Sequence, residues 1–218
     1  KRYALQASRA LVARGVKLVV VACNTASVAL PEVQVALAPL PVIGVIGPGA
    51  QAALAFAPAG PIAVIATEGT VKGGAYVRAI QARGPTPVVQ QACPLFVPMT
   101  EEGLIDGPIA EAIAHRYLDP LLATVPKPKC LLLGCTHYPA LKDVIARVAG
   151  DVALVDSADT TAIAVEQLLG ETGLSARSGR PGLRKFLVTD APDRFARVGE
   201  IFLKCPIDPG DVELVDLQ

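Results

Sequence analysis

Neither sign of charge prevails in this chain: 20 lysines and arginines stand against 20 aspartates and glutamates. They are scattered without a basic stripe, which argues against nucleic acid or an anionic membrane surface as a partner. Long apolar runs are missing too. The longest strand-like runs, LVVVA and CLLLG, fall far short of the ~20 residues that a membrane-spanning helix needs. The opening stretch KRYALQASRALVARG is amphipathic and charged throughout, unlike the apolar segment of a secretion signal. Five cysteines form no C-x-x-C pair and two histidines are few for a zinc site, so no metal is expected. Reduced thiols and a cytoplasmic location are the expectation. G-x-G-x-x-G, Walker A and H-E-x-x-H motifs are absent, so no cofactor is expected either.

What is present is an apolar, compact chain. Hydrophobic residues make up 52% and charged residues 18% of 218 positions, enough for one large domain or two modest ones with real cores. Short apolar runs alternate with segments of helical periodicity. Strands are predicted within 17–22, 41–46, 61–66, 87–92, 129–134, 152–155 and 185–188. Helices are predicted within 26–37, 71–81, 104–123, 140–148, 160–169 and 192–203. This alternation predicts an α/β fold with parallel sheets. Pro41, Pro61 and Pro87 open strands, where a missing N–H does least harm. The stretch IGPGA (46–50) reads as a joint between domains. VDSADT (155–160) reads as a second joint, with Ser157 or Asp159 as a helix N-cap. Two crossings divide the chain into residues 1–46 with 156–218, and residues 47–155. RSGRPGLRK (177–185) reads as a solvated loop.

The strongest internal signal is a repeat. KLVVVACNTASVAL (17–30) and KCLLLGCTHYPALKDVI (129–145) share one grammar: a lysine six residues before a cysteine, an apolar strand, two polar residues, then a helix. Ligands of open parallel sheets bind beyond the carboxyl ends of the strands, which is where Cys23 and Cys135 fall. A following helix N-terminus offers free N–H groups and a partial positive charge to anions and thiolates. Cys93, Cys130 and Cys205 lack such neighbours and read as small buried hydrophobes. Two thiols in mirrored settings suggest mirrored proton chemistry, one removing a proton from a carbon and the other returning one to the opposite face.

ACNTAS (22–27) and LGCTHYPAL (133–141) resemble the two signature motifs of the glutamate racemases. PVIGVIGPGA (41–50), IATEGTVKGGAY (65–76), ACPLFVPMTEEG (92–103), LVDSADTTA (154–162) and FLVTDAPDRF (186–195) follow in that family's order. The resemblance implies two pseudo-symmetric parallel-sheet α/β domains with the active site in the cleft between them. It implies cofactor-independent interconversion of L- and D-glutamate, supplying D-glutamate for peptidoglycan, with Cys23 and Cys135 as the two bases. The resemblance further implies that the first takes the proton of D-glutamate and the second that of L-glutamate. It also implies Asn24, Thr25, Thr67, Thr70, Thr136 and His137 as substrate-binding residues, with His137 and Glu101 assisting Cys135. A homodimer is left open.

The residues themselves keep other readings open. Asn24 and Thr25 could be N-caps, Thr67 could close a strand, and His137 could be structural. His115 reads as a surface residue, and Glu102 with Asp106 as a solvated helix start. The arginines and lysines carry no site. The family's D-S-G-x-G-G and P-Y-G segments are not found, so an N-terminally incomplete chain, weak or inactive by itself, is expected. Alternative functions are an aspartate racemase-like enzyme, or a non-catalytic module binding an acidic amino acid or a protein.

Overall fold

A computed structural model describes residues 1–176, 179 and 182–217 of the chain. In chain order it runs α1 (Arg2–Val12), β1 (Val19–Val21), a 3-10 turn (Ala26–Ala29), α2 (Leu30–Leu37), β2 (Val42–Gly44) and α3 (Ile46–Phe56). Then come β3 (Ile62–Ala66), α4 (Glu68–Gly73), α5 (Ala75–Gln81), β4 (Val88–Ala92), α6 (Phe96–Glu101) and α7 (Gly107–Leu122). The remainder is β5 (Cys130–Gly134), a 3-10 turn (Tyr138–Leu141), α8 (Lys142–Ala149), β6 (Ala153–Asp156), α9 (Ser157–Glu171), β7 (Phe186–Val188), α10 (Pro192–Leu203), a 3-10 turn (Pro209–Asp211) and β8 (Val212–Leu214).

Among the described residues every strand pairing is parallel, as the α/β pattern predicts. β3, β4, β5 and β6 form a four-stranded sheet in the order β4-β3-β5-β6, while β1 pairs with β2 and β7 with β8. β3 and β5 are buried at all five positions, which explains their unbroken apolar sequence: both faces are covered. Successive side chains point to opposite faces. Ala63, Ile65, Leu131 and Leu133 accordingly join one core with residues of α6, α7 and α8. Ile62, Val64, Ala66, Cys130 and Leu132 join a second with α3 and α5. Separate smaller cores gather β1, β2 and α2, and β7, β8 and α10.

The prolines act as expected and add something. Pro41, Pro61 and Pro87 each stand just before a strand, and their carbonyls accept ladder bonds from Val19, Lys129 and Ile62 at 2.9–3.0 Å. A residue without an N–H thus still serves its neighbour.

Several sequence-based expectations need correcting or sharpening. IGPGA, read as a joint between domains, is helical: it forms the first turn of α3. Pro48 lies early enough that its missing N–H breaks no helical bond. The α9 N-cap is Asp156, whose carboxylate accepts from the Ala158 N–H at 2.8 Å, rather than Ser157 or Asp159. The helix expected over 71–81 is two, broken at Gly74 in the left-handed region (φ +60°), which glycine tolerates at no steric cost. Glu102 ends α6, while Asp106 caps α7 through the Gly107 N–H at 2.8 Å. Strand β8 was not predicted; its three residues carry too short a pattern. Cys93 and Cys130 are fully buried as expected, but Cys205 is only half-buried. Of the loop expected over 177–185, residues 177, 178, 180 and 181 lie outside the described residues.

Candidate active site

The two cysteine units share one layout. Cys23 is followed three residues later by a four-residue 3-10 turn and then by an eight-residue helix, and so is Cys135. The N–H groups nearest each thiol therefore belong to a tight turn, not to an α-helix terminus as expected. The Ala26 N–H donates to Cys23 Sγ at 3.5 Å, and the Cys23 carbonyl accepts from the Ser27 N–H at 2.9 Å. The Cys135 carbonyl accepts from the Tyr138 N–H at 3.1 Å.

Sheet register brings the expected residues together. Ala66 pairs with Gly134 at the carboxyl ends of β3 and β5, so Thr67 and Cys135 leave adjacent strands at one level. Thr67 caps α4, its hydroxyl accepting from the Thr70 N–H at 3.3 Å. The same hydroxyl lies 2.9 Å from Thr25 Oγ1 and 3.1 Å from Thr70 Oγ1, and Thr25 and Thr70 are 3.0 Å apart. Three hydroxyls thus close a ring. Thr25 approaches so near that a Cβ on Gly69 would meet its methyl at 3.3 Å. Asn24 is no N-cap: its amide is buried at 2% exposure and donates to the Tyr76 hydroxyl at 2.7 Å. Its Oδ1 finds no partner among the described residues. Thr25 does occupy an N-cap position but makes no capping bond.

Around Cys135 the groups form a chain. His137 Nδ1 lies 4.0 Å from Cys135 Sγ, and His137 Nε2 lies 3.2 Å from Glu101 Oε1. The other Glu101 oxygen takes an ion pair from Arg194. A carboxylate on Nε2 assigns the ring proton there and turns Nδ1 toward the thiol. Phe202 packs its edge against the imidazole, with centroids 5.9 Å apart. Glu101, His137, Arg194 and Phe202 share a cavity of about 570 Å³. Thr136 lies on the wall of another, about 310 Å³, with Ala22 and Ser157. His115 is exposed and bonds Asp119 one turn on at 3.0 Å, the surface role expected.

The two thiols differ in setting. Cys23 is exposed and Cys135 is 6% exposed. Burial pushes the Cys135 thiol up from 9.0 to about 11, with a smaller push from Cys23, while the His137 N–H and the Thr136 hydroxyl favour its thiolate.

Sequence reasoning missed Arg194 and Phe202 of α10 and Tyr76 of α5. Arg194 stands in FLVTDAPDRF and Tyr76 in IATEGTVKGGAY, both quoted for resemblance. The arginine was passed over because scattered basic residues carry no spacing signal. Among the described residues no group of three or more His, Cys, Asp or Glu could hold a metal ion, and no helix is long and apolar enough to cross a membrane.

Residues 1–168 match the model of the aspartate/glutamate/hydantoin racemase family. The chain belongs to that family. Family membership makes it an isomerase of the amino-acid racemase class. The glutamate racemase of Geobacter metallireducens is 44% identical across the whole chain, which spans 80% of that relative. That of Neisseria meningitidis is 40% identical with the same coverage. A crystal structure of the Francisella tularensis glutamate racemase with D-glutamate overlays with a TM-score of 0.89 at 35% identity, covering 99% of this chain and 80% of that one. The aspartate racemase of Picrophilus torridus, 19% identical with a TM-score of 0.57, shares the fold alone.

Proposed function

We propose that the chain interconverts L- and D-glutamate by a cofactor-independent two-base mechanism, with Cys23 and Cys135 as the bases. The observation that carries this reading is the duplicated cysteine–3-10 turn–helix unit, each copy following the carboxyl end of a parallel strand. In one direction the Cys135 thiolate takes the α-proton: the C–H bond breaks, an S–H bond forms, and the electron pair passes to the α-carbon and its carboxylate. The Cys23 thiol then protonates the opposite face and is left as a thiolate, so charge and protons balance. The reverse direction exchanges the roles.

Other groups serve this exchange. The hydroxyl ring of Thr25, Thr67 and Thr70 can turn its protons to a carboxylate, with Asn24 and Thr136 completing the substrate shell. His137, held by Glu101, sits beside the base whose thiolate is harder to form, where a polarised imidazole favours ionisation. Glutamate as substrate rests on relatives at 37–44% identity that carry that name. Supply of D-glutamate for peptidoglycan and a cytoplasmic location follow from the same reading, the latter supported by five free thiols. Residues 1–46 with 156–218 and residues 47–155 are taken as the two lobes, because the four-stranded sheet lies within the second except for Asp156, the last residue of β6.

The test is α-proton exchange. The intact protein is incubated with L- or D-glutamate in D₂O, and deuterium at the α-carbon is followed by NMR. Exchange with inversion is expected from both enantiomers. A folded sample that incorporates no deuterium from either would end the racemase reading. Full racemisation by Cys23→Ala or Cys135→Ala would end the two-base assignment.

A further inference from the structure

Tyr76 is fully buried, yet it touches both halves of the candidate site. Its hydroxyl accepts from the Asn24 amide at 2.7 Å, and Asn24 is the residue after Cys23. Its ring backs Gly134, the residue before Cys135: a Cβ on that glycine would meet Tyr76 Cε2 at 3.0 Å and the Ile65 carbonyl at 2.9 Å. Its other flank lies on α3, where a Cβ on Gly49 would come within 3.3 Å of both the ring and the hydroxyl. Glycine at 49 and at 134 is therefore what lets one rigid side chain fill the space between the cysteine units. Burial pushes the Tyr76 phenol up, as does any charge on Cys135, so it stays a neutral hydrogen-bonding group.

We propose that Tyr76 is a positioning residue for both bases: its hydroxyl holds Asn24 beside Cys23 while its ring seats Gly134 beside Cys135, so one phenol sets the separation and aim of the two thiols. The inference rests on the two-base reading above. Inversion needs the thiols on opposite faces of one carbon, and a small misplacement of a reacting group is costly in rate. A phenol packed at these distances resists such drift because interiors are close-packed and transmit displacement. The hydroxyl alone ties the Cys23 turn to this anchor through Asn24, whose other amide atom has no partner among the described residues.

Tyr76→Phe tests this, since it keeps the ring on Gly134 and Gly49 and removes only the tether. In the intact protein kcat should fall about tenfold or more, with KM changed by less than about threefold. In an Asn24→Ala background the same change should cost less than about twofold further, because the hydroxyl acts through Asn24. A phenol that only stabilises the fold would lower Tm and leave kcat per folded molecule intact. That outcome overturns the inference, and so does a multiplicative loss in the double variant. If Tyr76→Phe does not fold, Tyr76→2-fluorotyrosine leaves the two packed Cε positions unchanged and weakens the acceptor; kcat at least halved supports the proposal, and unchanged kcat overturns it. Cys23→Ala and Cys135→Ala are assayed beside these variants. If they stay active, the two-base reading fails and takes this inference with it. If they are dead while Tyr76→Phe is fully active, only the inference fails.

Discussion

Cys135 should make the protein sensitive to alkali, and removing it should relieve part of that sensitivity. The thiol is 6% exposed, and its folded-state pKa is about 11 against 9.0 for the free side chain. Below pH 9.0 folded and unfolded chains both hold the proton, and the thiol contributes no pH dependence. Above it the unfolded chain ionises first and binds fewer protons, so stability falls as pH rises and levels off past the folded pKa. At about 1.4 kcal/mol per pKa unit, the loss reaches roughly 2 kcal/mol by about pH 10.5. Cys135→Ala abolishes this contribution. Its cavity cost does not depend on pH, so the gap between parent and variant should shift by about 2 kcal/mol in the variant's favour between about pH 8 and about pH 10.5. Urea unfolding of both proteins at the two pH values, with slopes compared, measures it. Groups that do not feel Cys135 cancel in the difference, and the three that do, Tyr76, Cys93 and Tyr138, are held protonated by burial in both proteins. Gaps equal within about 0.5 kcal/mol would refute the buried neutral thiol, and with it the reason given for placing His137 and Glu101 beside this base.

Gly134→Ala should cost about 1–3 kcal/mol in urea unfolding, because the new methyl meets a strand carbonyl at 2.9 Å that cannot move aside; racemase activity should fall with it, since Cys135 is the next residue. Arg194→Ala should change stability by less than about 1 kcal/mol, the pair being on the exposed side, yet lower kcat several-fold by freeing Glu101 from its hold on His137; Arg194→Lys should restore part of the rate. Thr67→Ala removes the α4 cap and one member of the hydroxyl ring: about 1 kcal/mol of stability should be lost, with KM for glutamate raised. Steady-state kinetics followed by circular dichroism reads the last two.

The order of elements was legible because local physics decides it. Short unbroken apolar runs such as CLLLG, bounded by turn residues, suit strands covered on both faces, and prolines before them mark their starts. The two cysteines were legible for a related reason: each ends a strand in the same short grammar, and parallel sheets present such ends to ligands. Boundaries within helical stretches were less so. IGPGA carries turn residues, yet it is helical, because Pro48 falls where no N–H is needed and Gly49 is required by Tyr76.

The sequence by itself therefore determined the fold class, the duplicated unit and the candidate residues Cys23, Asn24, Thr25, Thr67, Thr70, Glu101, Cys135, Thr136 and His137. Only the tertiary structure decided what each of them touches. Strand register sets Thr67 beside Cys135, and docking of α10 adds Arg194 and Phe202 to the Glu101–His137 pair. Burial makes Cys135 differ from Cys23 although both follow one sequence pattern. The physical reason is one of range. Periodicity and capping act within a few residues, whereas desolvation, ion pairing and the reach of Tyr76 between the two units depend on residues dozens of positions apart in the chain.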